Sequence, residues 1–186
     1  AFADIAPYVL ENVKIGVLPG GGGCEFIFGK YFDLNKTLFG FQRVPFTAKL
    51  VEYGKETNLK SWKPFSVVGT LQRNRVDEVC DMVERCGLRT KKASNYLEIA
   101  LTPTNPILHT SRTYEIFGDY GLKHKFDTKL KFYVGWGRKA SEILFAMDAE
   151  LHVLLDAIEG LDTSAIRCRF NRLTAVIMFC DGVLSA

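Results

Sequence analysis

The sequence is short of the features that mark a specialised class. Its five cysteines, Cys24, Cys80, Cys86, Cys168 and Cys180, are odd in number and include no CxxC pair, which excludes a disulfide framework and a zinc site built on paired cysteines. Reduced cytosolic thiols are the simplest reading and point to a cytoplasmic protein. No apolar stretch reaches the ~20 residues of a membrane-spanning helix; the longest, Ala175 to Cys180, falls far short. The opening residues lack the charged start of a secretory signal. The net charge of +3, from 24 basic and 21 acidic residues, is too small an excess to argue for a nucleic acid or an anionic membrane. The densest basic run, Lys91-Lys92 after Arg85 and Arg89, reads as a solvated helix end. The chain begins with Ala, in what reads as the middle of an element, so a segment of a longer protein is expected.

What is present is ordinary globular material. Of 186 residues, 47% are hydrophobic and 12% aromatic, enough to bury a core in one domain or two small ones. Phe2 to Leu10 reads as the end of a helix. Val13 to Leu18 is a short apolar run suited to a buried parallel strand. A glycine loop, Pro19-Gly20-Gly21-Gly22-Gly23, follows it, then an aromatic-rich helical segment from Cys24 to Tyr31. Thr37 to Phe41 is a second strand candidate, and Ser66 to Leu71 another. Between them, Ala48 to Tyr53 and Glu56 to Leu59 form a hairpin around Gly54-Lys55.

From Arg75 the pattern turns helical. Val76, Val79, Met82 and Val83 fall at helical spacing, and Gly87 supplies a stop. Lys92 to Leu101 is expected as a second helix and residues 106 to 117 as a third. Lys139 to Ile158 is the clearest, with Ile143, Ala146, Met147, Leu151, Leu154, Leu155 and Ile158 in one stripe and Gly160 at its end. Leu173 to Ala186 has no clear period. The expected organisation is an α/β unit over residues 1–72 followed by an α-helical unit over 73–186.

Three constellations can carry chemistry. In the glycine loop, backbone N–H groups can approach a phosphate or a flat ring. It is not the dinucleotide fingerprint, however: Gly20 and Gly22 fit its first two glycines, but Glu25 stands at the third, and no acidic residue follows ~20 residues on, Asp33 being too close. A plain strand-to-helix turn is an equal reading. In Thr104-Asn105-Pro106-Ile107-Leu108-His109, Asn105 can cap a helix whose first position is Pro106. His109 then lies about one turn inside, where a neutral imidazole suits acid–base work on a carbonyl or an amine. A capped helix carrying an ordinary histidine explains the same residues. His124 and His152 have less context. The third cluster, Phe132 to Gly137, is a substrate loop or packing between helices.

In this order, these pieces resemble the octopine/nopaline dehydrogenase family, the opine dehydrogenases. APYVLENVKIGVLPGGGGCEFIF resembles the last part of that family's nucleotide-binding domain. FQRVPFTAKLVEYGK resembles its next strand, with the Val-Pro and Tyr-Gly-Lys landmarks. TPTNPILHTSRTYEIFGDY resembles the helix with the catalytic histidine, and KFYVGWGRKASEILFAMDAEL the family's "FY-x-x-W" segment and following helix. Together they span residues 6 to about 159.

The resemblance implies the C-terminal part of a Rossmann-like domain (1–72) followed by an α-helical substrate domain (73–186). It implies NAD or NADP as cofactor and a reaction joining an amino acid to a 2-oxo acid such as pyruvate. His109 would be the acid–base residue and Asn105 would orient substrate. Pro19 and Gly20 to Gly23 would meet the cofactor, Gly22 and Gly23 on its nicotinamide side. No metal, nucleic acid or membrane is implied, and a homodimer is allowed. The family's opening fingerprint has no counterpart here, nor can its later carboxylate be matched; Asp162 and Asp181 are the carboxylates at hand. The competing readings are a non-catalytic helical or dimerisation module and, third, a ketopantoate-reductase-like or 6-phosphogluconate-dehydrogenase-like enzyme. Those two enzymes place a catalytic lysine in the helical domain.

Overall fold

A computed structural model describes residues 1–102, 104–119, 125–132 and 134–167. His124, Tyr133, Cys168, Cys180, Asp181 and the stretch 173–186 lie outside the described residues. The chain divides into two compact units, Ala1–Thr102 and Pro103–Ala186.

In the first unit, α1 (Phe2–Ile5) and a 3₁₀ turn (Ala6–Tyr8) lead to β1 (Ile15–Val17), α2 (Cys24–Phe28) and β2 (Leu38–Phe41). The hairpin strands β3 (Phe46–Glu52) and β4 (Glu56–Trp62) follow, then β5 (Ser66–Thr70), α3 (Val76–Arg85), β6 (Thr90–Lys92) and α4 (Leu97–Ala100). One sheet has the order β1-β2-β5-β6. β1 is parallel to β2 and β5 to β6, whereas β2 and β5 are antiparallel. Two parallel pairs, each bridged by a helix, are thus joined back to back by the chain reversal through β3 and β4. The hairpin is a separate two-stranded sheet, turning at Gly54 with φ of 73°, a conformation that favours glycine.

Sheet continuity corrects two expectations. Lys92 to Leu101 is not one helix: Thr90–Lys92 is strand, paired Ser66↔Thr90 to Val68↔Lys92, and only Leu97–Ala100 is helical. Lys91 and Lys92 are therefore exposed strand residues rather than a helix end, because the open edge of β5 supplies backbone partners that local propensity cannot reveal. For the same reason the first unit does not stop at residue 72 but runs through β6 and α4 to Thr102.

β2 is buried along its whole length, and its alternation builds two cores. Leu38 faces Ile15, Phe28, Phe32, Tyr96 and Ile99. Phe39 and Phe41 face Val68 and the α3 residues Val79, Cys80 and Val83, the helical stripe expected from spacing. Phe28 and Leu38 are fully buried, each burial stabilising by roughly 1.5–3 kcal/mol. Phe2, Phe28 and Phe32 pack as an aromatic trio with centroids 5.1 to 6.1 Å apart.

Ile99 ties this unit together. A Cβ at Gly69 would stand 2.6 Å from its Cγ1 and one at Gly40 2.6 Å from its Cγ2, and a Cβ at Gly20 would also collide with it. Three glycines, on β5, β2 and the loop after β1, thus form the seat for one isoleucine. Gly20 further donates its N–H to the Phe41 carbonyl at 2.7 Å.

The described elements of the second unit are α5 (Thr104–Phe117), α6 (Arg138–Asp156) and α7 (Ser164–Arg167). α5 begins at Thr104, two residues before the expected start, so Asn105 lies in the first turn rather than capping it. Pro106 is accommodated because first-turn N–H groups have no intrahelical partner. Ile107, Trp136, Ala140 and Leu144 form the core. On α6 the buried line is Ala140, Leu144, Asp148 and Leu155, so the stripe expected from hydropathy is rotated: Leu154 is 49% exposed and Ala146 is exposed.

The link between these helices is electrostatic. Arg112 and Glu115, three apart on α5, form an ion pair with side chains 7% and 14% exposed. The Glu115 carboxylate accepts N–H bonds from Gly137 (3.2 Å) and Ala140 (3.1 Å), capping the start of α6 from another helix. A side chain at Gly137 would collide with that carboxylate. Arg112 donates Nε to the Phe132 carbonyl (2.8 Å) and Nη2 to the Val134 carbonyl (3.0 Å). Burial pushes the Glu115 carboxyl up, but the Ala140 and Gly137 N–H groups and the Arg112 guanidinium together outweigh it and hold it below the usual carboxylate range.

Two outcomes are expected. Ile99→Ala, which empties the glycine seat, lowers the unfolding free energy by about 2–5 kcal/mol, measured by urea denaturation. Glu115→Gln costs roughly 1–3 kcal/mol. Because the folded-state value is depressed, the Glu115 contribution is complete above the ordinary glutamate value of about 4.3 and is lost as pH falls through the lower folded value. Stability measured against pH therefore shows a shallower acid limb in Glu115→Gln than in the wild type.

Candidate functional site

The expected site residues fall in both units, and each group is described by itself. In the first, the strand–loop–helix of Val13 to Phe28 forms as read, though only Ile15 of β1 is buried. Pro19 is exposed at the strand end, Gly20 is buried in the Ile99 seat, and Gly21 and Gly22 are exposed. Nothing lies within 4 Å of where a Cβ would stand on Gly21 or Gly23, and one on Gly22 would be 3.3 Å from the Ala100 carbonyl oxygen. Gly23 has φ of 95° and needs to be glycine for its backbone alone. Of the four glycines, then, Gly20 is structural and Gly21 to Gly23 leave open backbone.

This turn does not suit a phosphate. Gly23 donates its N–H to Glu25 Oε2 at 3.1 Å, so the chain's own carboxylate takes a donor that an anion would need. α2 spans only five residues, too few for a strong helix dipole. Open backbone beside a carboxylate that holds the Gly23 N–H suits a flat, neutral ring better than an anion. Beside the turn, Cys24 Sγ lies 3.4 Å from the Tyr96 hydroxyl. Burial pushes the Cys24 thiol up, against the hydrogen bond with Tyr96, and burial, then Cys24 itself, pushes the Tyr96 phenol up too. Both shifts favour the protonated forms, against a thiolate at Cys24.

In the second unit, Asn105 and His109 are exposed on α5, four residues apart and so on one face. The His109 ring stacks on Phe132, centroids 4.8 Å apart and planes tilted by 41°. Phe132 is in turn held through its carbonyl by Arg112. Of the aromatic–glycine cluster, Trp136 packs in the helical core and Phe132 lies against the histidine. Arg112 and Phe132 were not singled out as site residues. The i,i+3 charge pair was the available signal for Arg112, and Phe132 lay inside a cluster already marked.

His152 bonds through Nδ1 to the Asp148 carbonyl at 2.8 Å, within α6. Asp162 accepts the Ser164 N–H at 3.0 Å at the start of α7. Among the described residues no three His, Cys, Asp or Glu side chains converge as a metal site, and no helix is long and apolar enough to cross a membrane.

In sequence, the chain is 27% identical over 176 residues to the uncharacterized protein y4xO of Sinorhizobium fredii (strain NBRC 101917 / NGR234), covering 88% of this chain and 46% of that protein. No protein-family model matches. In structure, it is similar to octopine dehydrogenase in complex with NADH and agmatine (TM-score 0.70, 18% identity). It is similar also to octopine dehydrogenase with NADH and L-arginine (0.69, 17%). Each match covers 97% of this chain and 46% of the other. D-mandelate dehydrogenase with NADH is more distant, at a TM-score of 0.57 and 15% identity, with 97% and 58% covered. The chain spans about half the length of the relatives it matches, 46% in the first three. It has a mixed α/β fold of the octopine dehydrogenase kind.

Proposed function

We propose that this chain belongs to an opine-dehydrogenase-like oxidoreductase that uses NAD or NADP to join the amino group of an amino acid to a 2-oxo acid such as pyruvate. The likeness in fold to octopine dehydrogenase over 97% of the chain carries the reading, and the ordered sequence landmarks support it. On this reading the first unit is the C-terminal part of a Rossmann-like domain and the second is the start of an α-helical substrate domain. The protein is cytoplasmic, and a homodimer is compatible with it.

The roles follow from the chemistry of each site. Pro19 and the Gly20 to Gly23 turn face the nicotinamide end of the cofactor, where open, uncharged backbone at Gly21 to Gly23 admits a flat ring. The pyrophosphate lies elsewhere, since Glu25 would repel it. The nicotinamide supplies the hydride. His109, with one ring face on Phe132 and the rest exposed, gives a proton to the carbonyl oxygen of the oxo acid as the amine condenses and water leaves. Asn105, one turn earlier, orients the substrate. The geometric demand is a proton donor beside the carbon that receives the hydride.

A second reading, a non-catalytic module that kept a dehydrogenase fold, is favoured by one observation, the Glu25 carboxylate on Gly23 N–H. Titration with NADH separates the two. On the first reading the full reading frame containing this chain binds NADH and oxidises it with pyruvate and an amino acid, and His109→Ala lowers kcat/KM by roughly 10²–10⁴-fold. Unchanged turnover in that variant removes His109 from its role; no NADH binding at all favours the module.

A further inference from the structure

A depression of about 440 Å³ runs along one face of α5, lined by His109, Thr110, Thr113, Tyr114, Phe117 and Gly118. These residues fall in two adjacent rows, 109-113-117 and 110-114-118, as a single helical face requires. Its apolar surface comes from two rings in water, Tyr114 at 53% and Phe117 at 48% exposure. Phe117 is propped edge-on by Phe126, centroids 5.5 Å apart. The hydroxyls of Thr110, Thr113 and Tyr114 are the polar groups beside His109.

The charge at the rim of the depression is already paired. Among the described residues that line it, none is a carboxylate. A cation is already on the rim: Lys139 Nζ lies 5.2 Å from the centre of the Tyr114 ring, with its charge directed to Asp119 at 2.8 Å. A guanidinium brought to the same ring would meet that ammonium and have to compete with it for Asp119, the carboxylate at the rim. An aliphatic or aromatic side chain would cover exposed ring surface and meet no such opposition.

We infer that this depression receives the side chain of the amino donor, and that the donor is an uncharged aliphatic or aromatic amino acid rather than a cationic one. The inference rests on the proposed role of His109, because a donor whose nitrogen lies at the imidazole extends its side chain along α5. Tyr114 is five residues on, roughly 7.5 Å along the axis, within reach of a leucine or phenylalanine side chain. This contrasts with the octopine dehydrogenase complexes, which hold L-arginine or agmatine.

The test is direct titration of the chain with L-phenylalanine, L-leucine and L-arginine, followed by NMR, beside NADH turnover by the full reading frame with the same amino acids. L-Phenylalanine and L-leucine are expected to bind at least roughly tenfold more tightly than L-arginine, perturbing residues 109–118. Tyr114→Ala weakens them roughly tenfold and raises KM with kcat little changed, and Tyr114→Phe, which keeps the ring, restores both. Tyr114 is half exposed, so these variants fold, and unchanged spectra elsewhere verify it. Tighter binding of L-arginine, or binding indifferent to Tyr114→Ala, overturns the inference. If NADH is consumed with L-arginine equally well in Tyr114→Ala, the enzyme stands and this donor pocket falls. If L-phenylalanine binds through Tyr114 while NADH is never consumed, the apolar pocket stands and the oxidoreductase reading falls.

Discussion

The second unit depends on one ion pair that holds the rest in place by what its two ends reach. Arg112 and Glu115 leave most of their charge inside the protein, where an unpartnered group would be costly. Each is instead saturated by backbone. Glu115 replaces the missing acceptors at the start of α6, and Arg112 binds the carbonyls of Phe132 and Val134. Helix α5 therefore fixes both the direction of α6 and the loop before it. The ring that lies against His109 comes from that loop. Shape and candidate site thus share one support, and His109 is steadied by that ring contact.

The first unit solves a related problem with size instead of charge. Ile99 enters the sheet where Gly20, Gly40 and Gly69 leave no side chains. The consequence for the candidate site is a division of labour within the glycine turn. Gly20 is committed to packing, so the turn is anchored at one end, and the exposed glycines after it are held in position without being crowded.

Much of this was legible in the sequence, where local pattern and local chemistry coincide. The β3–β4 hairpin followed from two strand-like runs around Gly54-Lys55, α3 from the spacing of Val76 to Val83 with Gly87 behind it, and β1 as a parallel strand from the apolar run before the glycines. What was not legible depends on distant partners. β6 is strand because β5 offers an edge, although Lys91 and Lys92 resemble a helix end. The buried line of α6 includes Asp148 because neighbours, not hydropathy, choose the inward face. For the site, Asn105 and His109 were visible as a motif and do share a face. The stacking of Phe132, the capping reach of Glu115 and the carboxylate of Glu25 turned on Gly23 needed coordinates, since nothing local says where a charged side chain will end.

The β3–β4 ribbon is exposed over almost its whole length, with Leu50, Leu59 and Trp62 in water. A flat, apolar ribbon with two free edges invites other chains to add strands. Here the pairing slips twice, between Thr47 and Ala48 and between Leu50 and Glu52, and each slip coils the ribbon and spoils the row of groups that an incoming strand would need. Lys49 and Lys60 add charge along the same strands. The arm's defence against added strands thus lies in irregular geometry as much as in polarity, and regularising its register would turn exposure into an adhesive edge.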